Sequence, residues 1–396
     1  MNTFKYLIGV VMFSAISLFA AVENEDFENI KITHGPYIQE QTPTSATVIW
    51  TTDKPAVSWV EIAPDDGSHF YEKQRPRFYQ APLGRKVVST LHKVKIDSLE
   101  PNKTYNYCAL SKSVVYENRG RTYYGRVALT PVYKCVPHKF KTLDGTKKSI
   151  KFSVVNDIHE RAAALSNMLS HAPKDTDFLL LNGDMVNQME SREQMFKAFM
   201  DVVADFGKGG TPVFFSRGNH ETRGPYSDGF MELFPTNTGK TYYTFRVGQV
   251  FFVVLDGGED KPDNNIEYCG RSDFDNFRAR EAKWLKGVVD SPEFKSAPVK
   301  ILISHIPPSW GSWHGSKHFQ KEFAEILNNA PFSVIISGHL HEYAFYEPSA
   351  LINIPNVVNS NDEMMNVSVD SENITLDFVD ENGRKARDSI LLKVKK

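Results

Sequence analysis

The chain has few cysteines and no surplus of either charge. Three cysteines in 396 residues, at 108, 135 and 269, are too few for a scaffold stapled by disulfides. With 46 basic and 48 acidic side chains the formal net charge is -2, which excludes a broad cationic face for nucleic acid or anionic membrane. Internal repeats and low-complexity tracts are missing too, which removes the solenoid, collagenous and disordered classes. Past residue 21 no apolar run is long enough to cross a bilayer. What remains is 41% apolar and 24% charged residues, a soluble-globular composition with length enough for two domains.

The first segment, MNTFKYLIGVVMFSAISLFAAVENEDF, sets Lys5 before an apolar run from Tyr6 to Ala21 and then turns acidic. That order is the pattern of a secretory signal peptide over residues 1–21, cleaved near Ala20 or Ala21. It implies a secreted or periplasmic protein with no stable membrane span after cleavage. An uncleaved anchor is the alternative, and the run is shorter than the ~20 residues that span comfortably. In an exported chain Cys108 and Cys135 are expected to form a disulfide, because they flank a hairpin centred near Gly120 and Arg121. The alternative is that they are small core residues. Cys269 is left over.

Residues 22–145 read as all-β. SATVIWTT at 45–52, SWVEIA at 58–63, HKVKIDSL at 92–99 and TYNYCAL at 104–110 are short alternating runs broken by turn residues. In LEPNKTYNY, Leu99, Pro101 and Tyr105 fit a tyrosine corner, in which a hydroxyl ties back to the preceding turn. KTLDGTKKS at 141–149 is a linker. Over residues 146–396 the texture changes. Apolar runs (IKFSVV, DFLLL, TPVFFS, VFFVVL, VKILIS, FSVII) alternate with segments of helical spacing, the order of an α/β layered domain whose strands are buried on both faces. The tail from Val357 returns to short strands that complete a sheet.

Five of these runs end in chemistry. FSVV leads to Asp157 and His159; FLLLN leads to Gly183, Asp184 and Asn187; VFFSR leads to Asn219, His220 and Glu221; ILIS leads to His305; SVIIS leads to His339 and His341. In open α/β sheets, ligands sit at the carboxyl ends of the strands, so the five ends are expected to converge. Asp157 with His159, and His339 with His341, are i, i+2 pairs, which in extended chain point the same way. Glycines at 183, 218 and 338 allow close backbone approach. The seven donors Asp157, His159, Asp184, Asn219, His305, His339 and His341 suit two divalent ions of the manganese, iron or zinc kind better than one, with Asp184 bridging. Two carboxylates against two dications leave a positive pocket, which a phosphate dianion would neutralise.

In this order, D-I-H, G-D-M-V-N, G-N-H-E, a lone strand-end histidine and G-H-L-H resemble the signature of the calcineurin-like metallophosphoesterases over roughly residues 150–345. The β domain before them resembles the fibronectin type III-like amino-terminal domain of purple acid phosphatases. The resemblance implies two facing sheets flanked by helices, in four layers. It implies one metal on Asp157, His159, Asp184 and His341, and a second on Asp184, Asn219, His305 and His339. It makes His220 the group that assists the leaving oxygen, steadied by Asn187 or Glu221. The activity implied is hydrolysis of small phosphate esters, monoesters before diesters; a non-catalytic carbohydrate- or surface-binding protein is the alternative of another class.

Two departures narrow this. Where purple acid phosphatases carry D-x-G and G-D-x-x-Y, this chain has His159 and Asn187, so ferric-tyrosinate chemistry is not expected. Where phosphoprotein phosphatases carry G-D-x-V-D-R-G, it has GDMVNQM without the arginine. Arg161, Arg223, Tyr226 and Trp310 lie next to the motifs and are candidate substrate contacts, with Trp313 and His314 in the same loop as Trp310. Each is equally readable as an ordinary surface or anchoring side chain.

Overall fold

The computed structural model describes residues 29–395; the segment 1–21, expected to be a signal peptide, lies outside the described residues. The amino-terminal part is antiparallel β throughout: β1 (Ile32–Gln39), β2 (Ala46–Pro64), β3 (Arg77–Tyr79), β4 (Val88–Ile96), β5 (Thr104–Asn118), β6 (Arg121–Leu129) and β7 (His138–Lys141). SATVIWTT and SWVEIA, which read as two strands, are one. β2 runs for 19 residues through Pro55, and its register shifts between Thr51 and Ala56. A bulge is where a strand tolerates proline, because no ladder N–H is demanded there.

Two features of this part follow from single residues. The Tyr105 hydroxyl accepts from the Glu100 N–H at 3.0 Å, so the tyrosine corner is present. Trp50, fully buried, donates from its indole to Ser111 Oγ at 2.9 Å. The expected Cys108–Cys135 bridge is not formed. β5 and β6 do make a hairpin, but Cys108 is buried against the Thr130 carbonyl at 3.1 Å while Cys135 is exposed, and all three thiols are free. Cys108 faces the packed side of β5 with Trp59, Phe70 and Leu110, so it serves as a small apolar residue.

The second part holds two six-stranded sheets. One runs in the order β10 (Val213–Phe215), β9 (Phe178–Leu181), β8 (Ile150–Val155), β17 (Glu363–Val369), β18 (Asn373–Asp380), β19 (Ile390–Lys393). The other runs β11 (Tyr243–Val247), β12 (Val250–Leu255), β13 (Val299–Ser304), β14 (Val334–Ser337), β16 (Asn356–Val358), β15 (Ala344–Tyr346). β8, β9 and β10 are mutually parallel, as are β12, β13 and β14. Their near-total burial explains why the sequence reads as unbroken apolar runs.

Alternation along each strand builds three cores. Phe152, Val154, Phe178 and Leu180 meet Phe252, Val254, Ile301 and Ile336 between the sheets. Leu179 and Leu181 point outward onto the helical run from Arg192 to Gly207, through Met195, Phe196 and Phe199. Val253, Leu302 and Ile335 face the helices Phe274–Asp290 and His314–Asn328 through Leu285, Phe319 and Phe323. The result is helix, sheet, sheet, helix, the four layers expected. Among the described residues no helix is long and apolar enough to cross a membrane.

Candidate metal and catalytic site

Each parallel strand ends at the same edge of its sheet, so the loops that follow share one crevice. Asp157 follows β8, Asp184 follows β9, Asn219 and His220 follow β10, His305 follows β13, and His339 and His341 follow β14. The seven predicted donors are brought together. Ligand atoms of Asp157, His159 and His341 form one tight group, and those of Asp184, His305 and His339 another, while His220 joins His159 and Asp184 in a third.

How the pairs converge differs from the sequence reading. Asp157, His159, Asp184, His339 and His341 all have positive φ, between 46° and 74°, so neither pair lies on extended chain. Left-handed backbone at non-glycine residues costs about 1–3 kcal/mol each and persists only where surroundings enforce it. Here the turns fold the two side chains of each pair back into the crevice. The glycines are tied to these turns: a Cβ at Gly218 would strike the Asp184 carboxylate, and one at Gly338 would crowd Asp157 Oδ2.

Both carboxylates are held by one oxygen and offer the other. Asp157 Oδ2 accepts from the His339 N–H at 2.8 Å and from Asn156 Nδ2 at 2.7 Å. Its Oδ1 is buried, makes no hydrogen bond, and lies 3.5 Å from His341 Nε2 and 4.0 Å from His159 and His305 Nε2. Asp184 Oδ1 accepts from the His220 N–H at 2.9 Å, and its Oδ2 lies 3.0 Å from His305 Nε2. His305 donates from Nδ1 to the Asn182 carbonyl at 2.7 Å, which aims Nε2 inward, again without a hydrogen bond. His159 and His341 approach Nε2 to Nε2 at 3.1 Å, and His339 Nδ1 sits 3.0 Å from Asn219 Oδ1.

Buried orphan atoms on carboxylate and imidazole are what a cation site looks like before its cation. The electrostatics agree. Burial pushes the His305 imidazole down, but Asp184 and Asp157 beside it outweigh burial and carry it up to about 10. Burial pushes Asp184 up, yet His305 and His220 hold it below the usual carboxylate range. The cluster therefore draws positive charge inward, and the residues fit divalent metal.

Of the two groups expected to steady His220, Asn187 does so through its backbone and Glu221 does not. His220 Nδ1 donates at 2.7 Å to the main-chain carbonyl of Asn187, not to the amide side chain, which leans on Glu160. Glu221 does not touch the imidazole. It is fully buried and accepts from the N–H groups of Asp184, Met185 and Gly218, so it braces two strand ends through backbone. Burial, then Asp184, pushes its carboxyl up to about 7. Arg161 donates to the carbonyls of Asp157, Ile158 and Asn361 and pairs with Asp362 at 2.7 Å, so it binds loops rather than facing the crevice freely. The Tyr226 hydroxyl donates to Glu232. Trp310 lies 5.6 Å from the His339 ring, while Trp313 is exposed and His314 binds Asp275.

A sixth strand end joins the site. After β12, Asp256 pairs with Arg217 at 2.7 Å, Glu259 pairs with Arg223, and Asp260 Oδ1 lies 3.6 Å from His339 Nε2. GGED at 257–260 follows an apolar run as the other motifs do, but with no histidine in it the stretch carries no metal-ligand signature.

Residues 150–343 match the family model described as calcineurin-like phosphoesterase. That stretch, just under half of the chain, forms a calcineurin-like phosphoesterase domain. Among curated relatives of this metallophosphoesterase, mouse serine/threonine-protein phosphatase CPPED1 is 27% identical over 195 residues, 47% of this chain; the chain spans 59% of that relative's length. Arabidopsis thaliana purple acid phosphatase 23 is 21% identical over 353 residues, 76% of this chain and 72% of that protein. Among solved structures, purple acid phosphatase PPD1 from yellow lupin aligns with TM-score 0.61 and 14% identity, over 90% of this chain and 73% of that one. PhoD aligns with TM-score 0.60 and 14% identity, over 91% and 90%. At such identities these two carry the fold alone, and they carry it across both the β-rich and the α/β parts.

Proposed function

We propose that this metallophosphoesterase is an exported hydrolase of small phosphate esters, with monoesters preferred to diesters. One observation carries the reading: two carboxylates and four histidines from four strand ends converge, with Asp157 Oδ1 buried and without a hydrogen bond and His305 Nε2 turned onto Asp184 Oδ2 at 3.0 Å. Two divalent ions, on Asp157, His159, Asp184 and His341 and on Asp184, Asn219, His305 and His339, would supply charge for the phosphoryl oxygens and acidify the attacking water.

The chain's own residues do the rest. Backbone N–H groups of His339 and His220 fix which oxygen of Asp157 and of Asp184 faces the crevice. His220, oriented by its Nδ1–H on the Asn187 carbonyl, turns Nε2 inward within 3.9 Å of Asp184. A proton held at that Nε2 is placed to neutralise the leaving oxygen. Trp310 gives one apolar wall beside His339 for the organic part of the ester.

The test is reconstitution of the full chain with manganese, zinc and iron in turn, assayed on p-nitrophenyl phosphate and bis-p-nitrophenyl phosphate. Metal-dependent turnover with a higher kcat/KM for the monoester supports the reading. Absence of turnover with every metal, at full metal occupancy, rejects it.

A further inference from the structure

Arg223 brings its guanidinium to within 3.4 Å of His220 Nε2, and its geometry is tightly constrained. Glu259 takes it bidentately: Nε reaches Oε1 at 2.7 Å and Nη2 reaches Oε2 at 2.8 Å. Glu259 is itself almost wholly buried, 1% exposed. Tyr268 donates to its Oε2 at 3.0 Å and Thr222 Oγ1 lies 2.8 Å from its Oε1. The loop behind it is fastened as well, because buried Arg278 donates to the carbonyls of Gly257 and Glu259. A carboxylate saturated this way fixes the plane of the guanidinium that it grips.

That fixing leaves one nitrogen over. A guanidinium has five N–H donors, and Glu259 engages only the Nε and Nη2 side. Among the described residues Nη1 has a single contact, His220 Nε2 at 3.4 Å. Nη1 carries two N–H donors, of which His220 Nε2 takes at most one, so it stands at the rim of the crevice beside the leaving-group histidine with a donor left over and its carrier held rigid. An arginine needed only for structure has no reason to present its unused end at this point.

We propose that Arg223 is a substrate-binding residue whose Nη1, aligned by Glu259, grips a phosphate oxygen and selects phosphomonoester dianions over diesters. The proposal rests on the phosphoesterase reading above and deepens it. A monoester phosphate presents three non-bridging oxygens and a second negative charge, whereas a diester presents two oxygens and one charge. A fixed cationic donor beside the leaving-group histidine discriminates for the species with one more charged oxygen to place. Glu259 is a positioning residue, since it acts only through Arg223.

The test uses the metal-loaded full chain and the variants R223M, R223K and E259Q. Three quantities are measured: kcat/KM on the two nitrophenyl esters, metal content, and the affinity for inorganic phosphate by calorimetry. R223M is expected to lower the monoester-to-diester ratio of kcat/KM at least tenfold and to weaken phosphate binding at least tenfold, with metal content unchanged. R223K, which keeps charge but loses the planar fork, should fall between. E259Q should move the ratio the same way by less. A ratio unchanged in R223M and R223K, or phosphate affinity equal to that of the unaltered protein, overturns the role. If the unaltered protein cleaves neither ester, the hydrolase reading fails by itself, and phosphate affinity still decides for or against Arg223.

Discussion

The backbone N–H of His339 donates to Asp157 Oδ2 at 2.8 Å across 182 residues of sequence. This bond joins the end of β14 in one sheet to the end of β8 in the other, so the crevice is closed by the same contact that orients a ligand. Disturbing one sheet should therefore disturb the metal-binding geometry offered by its partner.

Replacement of Asp184 by Asn or of His339 by Ala is expected to strip metal, because each removes a donor from the buried group it shares with His305. Replacement of His220 by Ala should keep metal and slow turnover, by ~10²–10⁴-fold if it acts as general acid. Metal content by mass spectrometry beside kcat separates the two; equal metal loss in all three variants would contradict the division.

Gly218→Ala changes no donor, yet its Cβ would meet the Asp184 carboxylate and the Glu221 carboxylate that braces it. A fall in metal affinity of at least tenfold is expected, the order of loss seen when groups supporting ligands are displaced. Titration against a metallochromic chelator, with circular dichroism to check the fold, reads it. Unaltered affinity would mean that the loop gives way without cost.

Acid sensitivity should reside partly in the β-rich part. His92 is buried beside Trp50, 2.8 Å from Thr52 Oγ1, and burial, with Arg192 adding to it, pushes its imidazole down from 6.5 to about 4. In the unfolded chain it takes up a proton near its ordinary value, so the fold has this stability above pH ~6.5 and loses it as pH falls toward ~4. The full loss is about 3 kcal/mol at most. H92Q should flatten the decline of the urea midpoint between pH 7 and pH 4.5; parallel declines would remove His92 from the account.

The proposed export makes a simple prediction. Expressed from the full sequence in a bacterial host, the protein should leave the cytoplasm and begin near residue 22 when its amino terminus is sequenced. An intact Met1 on protein recovered from membranes would favour the anchor instead.

Much of the architecture is legible in the sequence. The α/β layering followed from unbroken apolar runs such as IKFSVV and VKILIS, since only strands covered on both faces can be apolar at every position; the four-layer arrangement was what the family resemblance implied. The metal ligands were legible because strand ends in such sheets gather at one edge, so His305 could be placed with Asp157 without knowing any distance. Tyr105 revealed its corner because the partner it needs lies five residues away.

What the sequence left undecided depended on long-range packing. Whether Cys108 paired with Cys135 turned on which face of β5 each approached, and the core claimed Cys108. The join of SATVIWTT to SWVEIA through Pro55 required a neighbour strand able to shift register. Left-handed turns at Asp157, His159, His339 and His341 are unfavourable locally, and only the closed crevice enforces them. The partnership of Arg223 with Glu259 joins the ends of β10 and β12 in different sheets, which no local pattern encodes. Sequence determined which side chains stand at the strand ends, because periodicity is a local property; tertiary structure alone decided which way they face, because that is set by residues hundreds of positions apart competing for one buried space.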